Sequence, residues 1–173
     1  MKKTSFTLFF IAALAVLLPA QEVVIQDSAP FAYAYLECRG SYQQIPAKVN
    51  EFMGAFFKQG LMPAGNFFGL YLNDPGQVKE GELLWRLGFP VAAEAPIAAP
   101  LQKGEFNYNK VAVLLFTGPY EKVNGAYGKV FEFIAKNGWT PAGPIMEKYL
   151  DMDPQAVKPE ALRTEIHIPV EKK

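Results

Sequence analysis

Two residue types that carry much of enzyme chemistry are nearly missing. The chain has one histidine, His167, and one cysteine, Cys38. A single cysteine closes no internal disulfide, so no such staple is available. It reads as a buried thiol packing as a small hydrophobe, with a reactive thiol or an intermolecular bridge as the alternative. A single histidine is ordinarily a surface or satisfied residue. It offers no Ser-His-Asp set, and a metal site needs further ligands at suitable spacing, so no metal and no cofactor is expected. Net charge is absent too, because 17 basic and 17 acidic side chains cancel. Lys and Arg are dispersed, with no helix-turn-helix or zinc-finger pattern, so nucleic acid is not an expected partner. Glycine-rich phosphate loops are also lacking. Long apolar runs reduce to one, Phe6 to Leu18, too short for a comfortable membrane span.

That run follows Lys2 and Lys3 and precedes Leu18-Pro19-Ala20, the pattern of a signal segment over residues 1–20. The expected mature chain starts near Gln21, is periplasmic or secreted, and keeps no stable membrane span. An uncleaved anchor is the alternative, because leucine at the −3 position is imperfect. No cysteine follows the cleavage site, which argues against a lipid anchor. Residues 21–173 are long enough for one domain with a real core.

What is present is aromatic: 14 Phe and 8 Tyr. Phe31, Tyr33 and Tyr35 alternate with small residues, which predicts a strand with one bulky face. A further short strand is expected over Glu22 to Asp27. Pro46 opens a helix whose stripe is Ile45, Val49, Phe52 and Phe56, and Gly60 ends it. Strands are expected over Gly65 to Asn73 and Glu82 to Val91. Ala92 to Pro100, rich in Ala and Pro, reads as a connection. The pattern then restarts with a strand over Asn109 to Phe116 and a helical stripe of Val123, Tyr127, Val130, Phe131 and Ile134. Gly125 and Gly128 weaken that helix by about 1 kcal/mol each relative to Ala, and close packing is the expected reason. Strands follow over Pro144 to Leu150 and Arg163 to Val170, with a helical turn over Pro159 to Leu162.

The restart is a repeat. Gly40 and Gly118, Tyr42 and Tyr120, Gly60 and Gly138, Pro63 and Pro141, Gly65 and Gly143, and Tyr71 and Tyr149 all stand 78 positions apart. After one inserted residue, Pro75 and Pro154, Val78 and Val157, Leu83 and Leu162, and Pro90 and Pro169 stand 79 apart. Two copies are too few for a solenoid and predict a pseudo-twofold unit. The expected fold is α+β: two strand-helix-strand-strand repeats, over about 31–91 and 109–170, forming an antiparallel sheet. Both helices would lie on one face, leaving the other as a concave aromatic groove and central pocket. One position breaks the repeat with a charge. Glu147 stands where the first copy has Gly69, among apolar and aromatic neighbours.

The ordered motifs resemble the GyrI-like domain, the effector-binding domain of bacterial transcription regulators, distantly related to the SOUL haem-binding fold. The residues carrying the resemblance are Gly118-Pro-Tyr120, Gly143-Pro-Ile-Met-Glu-Lys-Tyr-Leu150 with Asp153-Pro154, and Thr164-Glu-Ile-His-Ile-Pro-Val170. Their first-half echoes are Arg39-Gly-Ser-Tyr42, Leu70-Tyr-Leu-Asn-Asp-Pro75 and Trp85-Arg-Leu-Gly-Phe-Pro-Val91. The resemblance implies a central pocket for hydrophobic, often cationic, small molecules, lined by the acid of the Glu-x-Tyr strand, here Glu147. It also implies that some relatives are hydrolases of strained electrophiles. By analogy with SOUL proteins, haem ligation would fall to His167. The signal segment and the lack of a DNA-binding domain depart from a regulator's effector module.

The candidate ligand-binding residues are therefore Glu147, Tyr149, Phe67 and Tyr71, with Trp85, Tyr33 and Tyr108 as further walls or rim, and Phe106 a weaker one. Glu147 at a solvated strand edge and the aromatics as plain core are the competing readings. Three functions stay open: an exported small-molecule binder, a hydrolase with Glu147 as general acid or base and Tyr149 beside it, and a protein-interaction module. The balance leans away from an enzyme.

Overall fold

The computed structural model describes residues 22–173. The expected signal segment lies outside the described residues. Among the described residues, no helix is long and apolar enough to cross a membrane.

The strands are β1 Val23–Asp27, β2 Phe31–Arg39, β3 Phe68–Tyr71, β4 Leu84–Pro90, β5 Gln102–Phe106, β6 Lys110–Thr117, β7 Trp139–Pro141, β8 Ile145–Tyr149 and β9 Arg163–Lys172. The α-helices are α1 Ile45–Lys58 and α2 Tyr127–Lys136. Every pairing is antiparallel, in the order β1-β6-β9-β8-β3-β4-β2-β5, with β7 added on β9.

The sequence offset recurs in the pairing register. Tyr33 faces Pro90 between β2 and β4, and Val111 faces Pro169 between β6 and β9. Gly69 faces Leu87, and Glu147 faces Ile166. Each second pair is the first shifted by 78 and 79 positions. Where the halves meet, β3 pairs with β8 and Gly69 faces Glu147 itself. The residue and its counterpart oppose one another, so this pair marks the centre of the arrangement.

Two strands escaped the sequence reading. β5, Gln-Lys-Gly-Glu-Phe, is a polar edge strand paired on one side only, with no apolar alternation to betray it. β7 is three residues long. β5 lies just ahead of the second repeat yet pairs with β2 of the first, and β1, just ahead of the first repeat, pairs with β6 of the second. Each half thus lends an edge strand to the other.

Those loans curl the sheet. β5 and β6 are six strand spacings apart in the sheet order, about 29 Å if flat. Phe106 and Lys110, which end and begin them, are four residues apart and reach about 14 Å at most. The sheet must bend until its edges approach. It bends around a buried cluster of Tyr33, Tyr35, Phe68, Leu70, Phe106, Val111, Val113 and Met146. The helices cover the opposite face. α1 buries Phe52 and Phe56 against Leu36, Trp85 and Leu87. α2 buries Val130 and Ile134 against Leu114, Ile166 and Ile168. Each such apolar side chain contributes about 1.5–3 kcal/mol.

Packing does not explain the two glycines near the start of α2. A Cβ added at Gly125 or Gly128 would meet nothing within 4 Å. Gly128→Ala should therefore stabilise the fold by up to about 1 kcal/mol, read as a higher urea midpoint at unchanged slope.

Candidate functional site

Glu147 is the centre of the candidate site, and its face corrects the sequence expectation. Alternation along β8 sets Ile145, Glu147 and Tyr149 on one side. That side is the helix-covered one, since Ile145 packs into the cluster under α2. The far face is concave and aromatic as expected, but it is a filled core, not an open groove. Glu147 lies between the two helix-covered clusters, 6% exposed.

A carboxylate so placed needs donors. Three phenols supply them. Tyr149 Oη donates to Oε2 at 2.9 Å, and Tyr71 Oη stands 3.2 Å from the same oxygen. Tyr127 Oη, at the first residue of α2, makes a short bond to Oε1. The Tyr71 and Tyr149 hydroxyls are 3.3 Å apart. Gly69 makes room for this cluster. A Cβ there would stand 3.2 Å from the Tyr71 oxygen and 3.3 Å from that of Tyr149. The glycine opposite the acid is therefore a matter of space.

Rings surround the acid in matched pairs. Tyr42 meets Tyr71 edge-on, centroids 5.3 Å apart, and their counterparts Tyr120 and Tyr149 meet edge-on at 5.1 Å. Phe67 stacks on Tyr149 at 5.8 Å. Glu147 makes no ion pair among the described residues. Burial pushes its carboxyl above the ordinary glutamate value, and the hydrogen bonds from Tyr127, Tyr149 and Tyr71 oppose that rise. Burial and the nearby carboxylate raise the Tyr71 and Tyr127 hydroxyls well above an ordinary phenol, so both stay protonated donors. Tyr149 is raised by burial and by both neighbours.

Of the sequence candidates, the structure brings together Glu147, Tyr149, Tyr71 and Phe67. Trp85 shares the helix-covered face but lies in the core under α1, donating its indole N–H to the Gly40 carbonyl at 3.1 Å. Tyr33 belongs to the far-face core, where its hydroxyl accepts from Arg86 and its ring covers Gly104. Phe106 is in the same core, and Tyr108 packs at its margin. None of these four touches the acid. Parity told which residues share a face, but not which face the helices cover.

The sequence reading missed Tyr127, Tyr42 and Tyr120 as site residues. The sequence places Tyr127 in a helical stripe and shows Tyr42 and Tyr120 only as counterparts in the repeat. A signal existed: Tyr127 stands 78 positions after Val49, so the repeat gains a phenol there as it gains an acid at Glu147. His167 sits on the far face, hydrogen-bonded to Glu165 at 2.8 Å, and burial holds its pKa below the usual value. Cys38 is buried, which pushes its thiol up to about 11. Among the described residues, no group of three or more His, Cys, Asp and Glu could hold a metal ion.

Comparison with solved structures places this arrangement among known folds. The C-terminal domain of EcmrR is 16% identical with a TM-score of 0.78, over 89% of this chain and 99% of that one. A hydrolase from Listeria innocua is 13% identical with a TM-score of 0.61, over 90% and 94%. SAV2435, bound to tetraphenylphosphonium, is 18% identical with a TM-score of 0.59, over 87% and 94%. At these identities the likeness shows the fold alone. A comparison with curated proteins gave no match. The family model of the GyrI-like small molecule binding domain matches residues 21–171. The chain belongs to the GyrI-like small-molecule-binding family.

Proposed function

We propose that this chain binds one apolar organic cation between its halves, with Glu147 as countercharge and the rings of Phe67, Tyr42, Tyr71, Tyr120 and Tyr149 as walls. The observation that carries this reading is a buried carboxylate held, among the described residues, by phenols alone. An incoming cation supplies the charge the site lacks, and each ring it touches adds about 0.5–2 kcal/mol. The tetraphenylphosphonium bound by SAV2435, which shares the fold, supports this ligand class. The N-terminal pattern supports an exported protein, periplasmic or secreted. Nucleic acid has no part in this reading, on the balance of charge. Calorimetric titration with tetraphenylphosphonium and with the neutral triphenylphosphine oxide tests it. The cation should bind at least about tenfold more tightly. Equal affinities would reject Glu147 as countercharge.

The raised carboxyl also sets a pH dependence, with opposite signs for ligand and fold. Only the ionised form attracts a cation. Affinity is therefore lost as pH falls through the folded pKa, beginning above the ordinary value of 4.5. In the empty protein the acid holds its proton more tightly folded than unfolded. Its contribution to stability is fullest below 4.5 and declines as pH rises to the folded value. As pH rises from about 4 to 8, affinity should rise, while the melting temperature of the wild type should fall relative to that of Glu147→Gln.

The hydrolase reading keeps one supporting observation: an acid with a raised pKa beside a phenol suits general acid or base work. Turnover of an electrophile panel by the wild type, lost in Glu147→Gln, would favour it.

A further inference from the structure

The two halves differ at one more pair of positions beside the acid. In the first half Trp85 stands between Cys38 and Tyr71. Shifted by 79, 78 and 78 positions, the second half has Thr164 between Phe116 and Tyr149. Bulk has changed strands: a small and a large residue in one half, a large and a small one in the other. The polar atoms of the two pairs are not treated alike either. The Trp85 indole N–H reaches the Gly40 carbonyl. The Thr164 hydroxyl is fully buried and has no hydrogen-bond partner among the described residues.

Buried hydroxyls are ordinarily satisfied, and an exception calls for a reason. Packing supplies none, because valine has the same shape without the polar atom. Position supplies one. Thr164 faces Tyr149 across β8 and β9 and shares the face of Glu147. Glu147 faces Ile166, two residues along, so the acid and the hydroxyl are diagonal neighbours with backbones about 7–8 Å apart.

We propose that Thr164 is a specificity-determining contact of the ligand site, its hydroxyl meeting a neutral hydrogen-bonding oxygen on a ligand whose cationic centre lies at Glu147. The ligand class narrows to organic cations bearing a hydroxyl, ether or carbonyl oxygen to one side of the charge. The first half offers no second such contact, since its counterpart is a satisfied indole. A bound ligand is therefore held in one orientation although the rings around it are paired. This inference rests on the cation-binding reading.

The test uses two cations of nearly the same shape, tetraphenylphosphonium and (4-hydroxyphenyl)triphenylphosphonium, titrated into the full protein and into T164V and T164S. The wild type should prefer the hydroxylated cation by about tenfold, the effect of one added hydrogen bond. T164V should lose that preference while binding tetraphenylphosphonium within about twofold of wild type. T164S should keep the preference. The T164V melting temperature should not fall, since an unsatisfied group has been removed. Equal binding of the two cations by the wild type, or a preference that survives in T164V, overturns the role of Thr164 and leaves the cation reading standing. Failure of the wild type to bind either cation overturns both.

Discussion

Glu147→Gln should lower the affinity for tetraphenylphosphonium by about 100-fold at neutral pH and leave the protein folded. About 4 kcal/mol separates opposite charges 4 Å apart at an effective dielectric of 20, and 100-fold corresponds to about 2.7 kcal/mol. The shortfall allows for retained ring contacts, which the amide does not disturb. The fold should survive because glutamine keeps an oxygen for Tyr71 and Tyr149. Its amide nitrogen then faces Tyr127, whose hydroxyl can turn from donor to acceptor. Losing the charge also removes the burial penalty that raises the carboxyl. The variant's melting temperature should therefore equal or exceed that of wild type near neutrality. Relative to the variant, the wild type should lose melting temperature as pH rises toward the folded pKa of Glu147. Calorimetry with the cation and a thermal melt at matched pH separate the two effects. A variant that binds as tightly as wild type would remove Glu147 from the site.

Trp85→Ala has the largest expected cost to stability, about 3–5 kcal/mol. The indole is 1% exposed and fills the space among α1, β2 and β4. Truncation leaves a cavity that the aromatic neighbours cannot close. It also strands the Gly40 carbonyl at the tight turn before Tyr42, adding about 1 kcal/mol. Urea denaturation reads the loss directly. Trp85→Phe should cost less and leave cation affinity unchanged, because the indole touches Tyr42, 6.0 Å between centroids, and not the acid. An affinity loss in Trp85→Phe as large as that of Glu147→Gln would make the indole a pocket wall after all.

These variants divide the residues that the sequence offered as one aromatic set. Glu147 was legible because it broke a repeat, and Tyr71 and Tyr149 because they are counterparts on the same parity. Trp85, Tyr33 and Tyr108 look alike in sequence, as aromatics on or beside strands. Their fates differ because Trp85 lies on the helix-covered face and Tyr33 on the other, which the curl from the exchange of β1 and β5 closes into a core. β5 carries too few apolar residues for any periodicity to announce it. Tyr127 was hidden differently: its place in a helical stripe explains it fully until the neighbouring strand is known. Gly125 and Gly128 show the reverse error, a packing role assumed where the Cβ direction is open.

The chain by itself determined the α+β class, the antiparallel sheet and the single acid that breaks the repeat. Each follows from local alternation and a constant offset, which survive without knowledge of what lies across the sheet. Only the tertiary structure decided which face the acid occupies, that three phenols hold it, and that Thr164 lacks a partner. Those depend on contacts between residues far apart in sequence, such as Tyr71 and Glu147. Distance along the chain carries no record of such contacts until the sheet has closed.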